Sequence, residues 1–320
     1  MKYRLPAAIV ALALAGTALV GCSSSGSTTV DGIQVVTPGT LTVCTNPPYK
    51  PMEYVDDTGN VVGLDMDLVQ LVADKMGAKM AIVQSDFSQI TSGAVMAAKK
   101  CDLGASSITI TDERKQAVTF SVPYFKATQA LAIKADSGIT GLADLKGKKL
   151  AVQDATTGAD YANAHSQQYG YTVVTYEDSG VALNAVLAGT NDAALIDNAV
   201  VYDFVKDNPS TAVATEFQTG ELYGMVASQD ANGQALIAIV NQALTTANSD
   251  GTYLKLYQKW IDPTSTTAAL PTAADASPAP DDTSSPAGAT DQQSAAINAA
   301  NSAASAAASA AASAAATPSN

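Results

Sequence analysis

Between Leu41 and Thr111 the sequence alternates three strand-like runs with two helix-periodic segments, and this order constrains the fold more than any other feature. Leu41-Thr42-Val43-Cys44-Thr45, Met80-Ala81-Ile82-Val83 and the run opening at Leu103 have the β-branched, apolar character of buried strands. Between the first two, Leu68, Leu71, Val72 and Met76 recur at three and four residues, predicting a helix from about Leu64 to Met76 that Gly77 stops. Between the last two, Asp86 is placed to cap a second helix with Ile90, Ala94 and Ala97 on one face. A βαβαβ order belongs to an α/β fold, with helices covering a parallel sheet. The prolines of Asn46-Pro47-Pro48-Tyr49-Lys50-Pro51 predict a loop. Asp56-Asp57-Thr58-Gly59-Asn60, between Met52–Val55 and Val61–Gly63, predicts a hairpin.

The alternation then restarts. Thr128–Lys134, Lys149–Val152, Val173–Tyr176 and Ala193–Asp197 read as strands. Helices open at Thr156-Thr157-Gly158, behind a Ser179 cap, and around Val200, Val201, Phe204 and Val205. Leu222–Ala227 reads as a return strand, and helices at about 232–247 and 252–260 pack back on the first unit. The second unit is thus inserted in the first, with crossings near 124–130 and 219–225. Two strands crossing together suit a hinge with a cleft facing it. The expected division is a first lobe from 38–127 completed by 222–262, and a second lobe at 128–221.

The ends read differently. Lys2, Arg4 and the apolar run Leu5–Val20 form a targeting segment, 1–21, and Leu19-Val20-Gly21-Cys22 resembles the bacterial lipobox, predicting lipidation at Cys22. Residues 22–37 read as a Ser/Thr/Gly spacer. After Asp262-Pro263 the Ala, Ser, Thr and Pro composition of 264–320 predicts a disordered tail. A formal charge of −13 with no basic stripe argues against a nucleic-acid partner, since phosphate binding needs clustered Lys and Arg. Cys44 lies near the C-terminal end of one strand and Cys101 before the start of another. As parallel neighbours they would lie beyond the ~7 Å Cα separation that a disulfide tolerates, predicting two free, buried thiols.

The stretch Ser106-Ser107-Ile108-Thr109-Ile110-Thr111-Asp112-Glu113-Arg114 ends a strand and turns toward a helix that Thr111 can cap. Hydroxyls, backbone N–H groups and an arginine gathered at one strand end suit a carboxylate. Together with Gly63-Leu64-Asp65-Met66-Asp67-Leu68, Phe120-Ser121-Val122-Pro123-Tyr124, Asp144-Leu145-Lys146-Gly147-Lys148, Thr156-Thr157-Gly158 and Asp250-Gly251-Thr252-Tyr253 through Lys259-Trp260, it resembles the extracellular solute-binding proteins of family 3, over roughly 38–262.

The resemblance implies a two-lobed periplasmic-binding-protein type II clamp with two crossover hinge strands. It implies that Arg114 takes a ligand α-carboxylate with help from Ser107, Thr109 and Thr157, and that Asp197 takes the α-ammonium. Tyr49 and Phe87 fall where the family places aromatic walls; loop anchoring and helix-face packing are their alternative roles. Asn46, Gln153 and Ser106 stand at positions that face the ligand side chain, and their neutrality leans toward an uncharged polar or acidic amino acid. Asp154 could reverse that lean if it points inward. The implied partners are a free amino acid, an ABC permease and its ATPase, with the membrane reached through the lipid anchor only. The protein is expected to act as a monomer with no cofactor and no metal.

An enzyme is the weaker reading, although some relatives on this fold are dehydratases. His165 is the single histidine, neither Cys44 nor Cys101 has a partner at metal spacing, and no Gly-x-Ser-x-Gly elbow occurs. A sensor that passes the closed state to a membrane receptor is the other alternative on the same fold.

Overall fold

The computed structural model describes residues 29–276. Strand β1 (Thr40–Thr45) leads through the proline loop into a hairpin of β2 (Tyr54–Val55) and β3 (Val61–Val62). Helix α1 (Leu64–Met76) has Asp65 and Asp67 in its first turn and Lys75 in its last, in accord with its macrodipole. Gly63 before it has φ 139°, and a Cβ there would lie 2.0 Å from the Met52 carbonyl oxygen, so the motif's glycine is a steric requirement. Next come β4 (Lys79–Gln84), α2 (Phe87–Thr91), α3 (Ala94–Ala97) and β5 (Leu103–Thr109). The second predicted helix is thus two short ones, divided where Gly93 takes φ 75°.

The chain crosses on β6 (Phe125–Lys134) into β7 (Lys149–Gln153), α4 (Thr157–Tyr169), β8 (Thr172–Tyr176), α5 (Ser179–Leu187), β9 (Ala193–Asp197) and α6 (Asn198–Asp207). It returns on β10 (Thr211–Ala227) and ends in α7 (Ala231–Ser249) and α8 (Thr252–Trp260). Apart from the β2-β3 hairpin, the strands named form one mixed sheet, ordered β8-β7-β9-β6-β10-β5-β1-β4, with the short strand Thr119–Phe120 beside β10. Parallel pairs β4-β1-β5 build the first lobe and β8-β7-β9 the second. The crossover strands β6 and β10 pair antiparallel from Thr211 opposite Lys134 to Tyr223 opposite Phe125, with irregularities at Val213/Thr215 and Phe217/Glu221. This is the type II clamp and its two hinge strands.

Each lobe has its own core. Leu41, Val43, Leu68, Val72, Leu103, Val240 and Leu244 lie in a cluster under α1 and α7 in the first lobe. In the second, Ala182, Val186, Ile196 and Val201 cover one sheet face, and Leu131, Leu145, Leu150 and Leu195 the other. Each fully buried aliphatic side chain contributes about 1.5–3 kcal/mol, so closure need not hold either lobe together.

Several expectations are corrected. Cys44 and Cys101 form a disulfide, with Cα atoms 5.7 Å apart. The register places Leu103 opposite Val43 and Gly104 opposite Cys44, so β5 begins beside the second half of β1 and not at its start. Cys101 enters from the α3 side, into the same packed cluster as Cys44, Ile90 and Val95. The helix expected after Thr111 is a single 3-10 turn, Arg114–Gln116, although the Thr111 hydroxyl does accept from the Arg114 N–H at 3.1 Å. Asp178, not Ser179, caps α5, accepting from the Val181 N–H at 2.7 Å.

The end of the spacer is also part of the fold. Ile33 and Val35 are buried in the first lobe, and Gln34 exchanges two hydrogen bonds with Asn232 on α7. At the other end, Ala268 and Leu270 pack on the same core, and the Leu270 N–H donates to Asn248 at 3.0 Å. Ordered structure therefore continues past Asp262 to a short turn at Ala273–Ala276. Composition averages over such isolated apolar residues, which is why both segments read as unstructured. The targeting segment, Cys22 and residues 277–320 lie outside the described residues.

Candidate functional site

All ten residues expected to touch a ligand line one cavity between the lobes, together with Glu53, Gln129, Thr156, Leu195 and Ile196. Its position follows from the topology, since in open α/β sheets ligands bind beyond the carboxyl ends of the strands. Asn46 follows β1, Ser106, Ser107 and Thr109 end β5, Gln153 ends β7, and Asp197 ends β9.

On the first-lobe side, Arg114 is held over Phe87, its guanidinium 5.2 Å from the ring centroid. It donates to the Thr109 carbonyl at 2.9 Å and across the cleft to the Ala155 carbonyl at 2.9 Å. Two of its five donors are thus engaged and oriented. Burial pushes its pKa down, and the nearby Glu221 and Asp197 carboxylates push it back up. Phe87 lines the cavity and also packs in the cluster around Ile90. Tyr49 packs against the cores of both lobes.

On the second-lobe side, Thr156 caps α4 by accepting from the Ala159 N–H at 3.0 Å, which aims the first turn of that helix at the cavity. Gly158 follows; a Cβ there would meet Gln129 Oε1 at 2.6 Å and the Leu195 carbonyl oxygen at 3.2 Å, so glycine lets the helix start pack close to the strands. Asp197 is buried and accepts from Gln129 Nε2 and from the Tyr223 hydroxyl. Burial first, and then the charge of Glu221, raise its pKa to about 7, against the lowering effect of these hydrogen bonds and one from Tyr49. Gln129 Oε1 is buried with no hydrogen-bond partner among the described residues.

The lobes meet. Gln153 Nε2 donates to Asn46 Oδ1 at 2.8 Å, the Ser179 hydroxyl donates to the Pro48 carbonyl at 3.1 Å, and Lys50 pairs with Asp203 and Asp207 at 3.1 and 2.7 Å. Asp154 is exposed and absent from the cavity lining.

The hydroxyls of the lining have partners within the chain. Ser106 donates to Glu53 Oε1 at 2.6 Å, Ser107 faces Glu53 and Asp65 at 3.4 Å each, and Thr109 and Thr157 donate to Glu221 at 2.9 and 2.7 Å. A hydroxyl has one proton to give. In the closed form these protons are therefore directed at the chain's own buried carboxylates. Glu53 and Glu221 escape the sequence because isolated acids in a chain with 30 of them carry no positional signal, while Asp65 stands in a quoted motif with nothing there to show that it faces Ser107. Burial, with the charge of Asp65, pushes the Glu53 pKa well up, and burial raises Asp65 to about 6.

Residues 41–263 match the family described as bacterial extracellular solute-binding proteins, family 3. The chain is 30% identical over 216 residues to the ABC transporter arginine-binding protein 1 of Escherichia coli (strain K12), which spans 67% of this chain and 87% of that protein. It is 30% identical over 225 residues to the L-cystine-binding protein TcyJ of the same strain, covering 70% of this chain and 83% of that one. A solved structure of an ancestral arginine-binding protein bound to glutamine superposes with a TM-score of 0.66 at 35% identity, over 71% of this chain and 99% of that chain. The matched family and relatives are binding proteins, not enzymes.

Proposed function

The chain belongs to the bacterial extracellular solute-binding proteins of family 3, and we propose that it captures a polar amino acid with an uncharged side chain by closing its two lobes on it. The observation that carries this reading is that Arg114 from one lobe and Asp197 from the other line a single cavity. An α-carboxylate on Arg114 gains a planar, bidentate partner, and the free N–H groups in the first turn of α4 add to it. An α-ammonium on Asp197 neutralises a buried carboxylate and gives Gln129 Oε1 a donor. Ser107, Thr109 and Thr157 then shape the floor through the carboxylates they bond, while Tyr49 and Phe87 wall the side chain.

The side-chain preference rests on Asn46, Gln153 and Ser106, whose amide and hydroxyl groups complement amides and hydroxyls. An acidic side chain is no longer favoured, because Arg114 is the one cation in the lining and Glu53, Asp197 and Glu221 lie close by. In this reading the protein is tethered through a lipid on Cys22, acts as a monomer, and hands its ligand to an ABC permease driven by its ATPase.

A thermal-shift panel of glutamine, asparagine, arginine, glutamate and cystine tests the reading. Ligand at 100 times its Kd adds about 2.7 kcal/mol. For a protein of this size that raises the melting midpoint by roughly 5–10 °C. The uncharged polar members should give the largest shifts. No shift with any amino acid would refute amino-acid capture.

A further inference from the structure

Glu221 lies on β10 next to the irregularity where that strand crosses between lobes. It is 6% exposed. Its Oε2 accepts from the Thr109 hydroxyl of the first lobe at 2.9 Å and from the Thr157 hydroxyl of the second at 2.7 Å. The two hydroxyl oxygens are themselves 3.4 Å apart. Its Oε1 accepts from Nε2 of Gln129, on the other crossover strand, at 2.9 Å, and the same nitrogen donates to Asp197. One carboxyl group thus collects a donor from each lobe and one from the opposite hinge strand.

Unlike the pairwise contacts Arg114–Ala155 and Gln153–Asn46, these bonds join both lobes to one group on a hinge strand, and they can all exist only when the lobes are together. A hydrogen bond is lost beyond about 3.5 Å, so a separation of an ångström or so at the hinge end of the cleft breaks one of the two threonine contacts. The remaining donors cannot compensate, since one oxygen cannot follow both threonines once they part. Its negative charge is also attracted by the Arg114 guanidinium. We propose that Glu221 is a positioning residue for capture, a latch carried by the hinge that draws Thr109 and Thr157 together and favours the closed form. It sets the first turn of α4 and the end of β5, the two places that face an α-carboxylate, at their closed separation. The inference rests on the two-lobed clamp and is independent of which amino acid binds.

The test is an interlobe distance measured without ligand, using spin labels at the exposed positions Gln89 in the first lobe and Asn184 in the second. In Glu221→Leu the distance distribution should shift to longer values than in wild type. Glu221→Gln, equal in length and still bearing an acceptor oxygen, should recover most of the short population. Thr157→Val removes the second-lobe donor without touching the hinge strand and should open the cleft as well. With glutamine as the probe, Glu221→Leu should bind roughly tenfold or more weakly, since bonds to a charged group are lost. If Glu221→Leu and Thr157→Val both keep the wild-type distribution, the latch is refuted. Should Glu221→Leu fail to fold, the Thr157→Val distribution alone decides. A wild-type protein that ignores glutamine would count against the ligand reading while leaving the distance result intact.

Discussion

Gln153 Nε2 donates to Asn46 Oδ1 at 2.8 Å across the cleft, so two uncharged amides close the site where the lobes meet. Asn46 is further fixed by its backbone N–H on the Ser106 hydroxyl and its side-chain amide on the Ser85 carbonyl. A charge placed at either position would be buried between the lobes and would have to be matched by the ligand.

Asn46→Asp should therefore move the preference toward cationic side chains. The groups bonded to Asn46 are all neutral, so the new carboxylate would lack a cationic partner there, and arginine or lysine would supply one. The ratio of arginine to glutamine affinity should rise at least tenfold, on the order of the 1.5–3 kcal/mol of a charge-assisted bond. Competition calorimetry with both ligands measures that ratio.

Capture should strengthen with rising pH. Asp197 must be ionised to hold an ammonium, and burial and Glu221 raise its pKa to about 7. Glu221, Tyr223, Tyr49, Gln129 and Arg114 are the groups facing it. The ligand-free protein should show the opposite trend. A carboxyl whose folded pKa is raised holds its proton in the native state while the unfolded chain has released it, so stability falls as pH rises from about 4 to about 7. Asp65, raised to about 6, adds in the same direction. Melting midpoints between pH 4 and 8, with and without ligand, should diverge, and Asp197→Asn should flatten the difference.

Reduction of the Cys44–Cys101 disulfide should destabilise the first lobe. The cysteines are 57 residues apart in sequence, and the chain-entropy model gives about 4 kcal/mol for a loop of that length. In a Cys22→Ala variant, unfolded without reductant, a thiol assay should find no free sulfhydryl. Added dithiothreitol should lower the melting midpoint by roughly 8–16 °C.

Truncation separates the docked part of the C-terminal segment from the rest. A chain ending at 263 loses the packing of Ala268 and Leu270 on the first lobe and should lose about 1 kcal/mol, below the full-burial value because both side chains stay partly exposed. A chain ending at 276 should melt like the full one. Denaturant titrations of the two distinguish these outcomes.

The sequence reveals the fold because its signals are periodic and local. Helix α1 runs from Leu64 to Met76 as its repeat predicts, and the inserted second unit follows from a second alternation that begins before the first is complete. Arg114, Asp197 and the residues near them are legible through strand ends that converge and through the family motifs. What escapes the sequence depends on register and on pairwise burial. Cys101 reaches Cys44 only because β5 starts opposite the middle of β1. The role of Glu221 depends on two threonines that are 112 and 64 residues away and meet only in the closed form. Ile33 and Leu270 lie in stretches too short to show a helix or strand period, and only their docked partners distinguish them from spacer and tail.

The central claim is that Arg114 and Asp197 jointly hold the backbone groups of a free amino acid. Isothermal titration with the best ligand of the thermal-shift panel, repeated on Arg114→Ala and on Asp197→Asn, tests it most directly. Each substitution should weaken binding by at least a hundredfold, about 2.7 kcal/mol or more, because each leaves a ligand charge buried without its partner. Wild-type affinity in either variant would contradict the account.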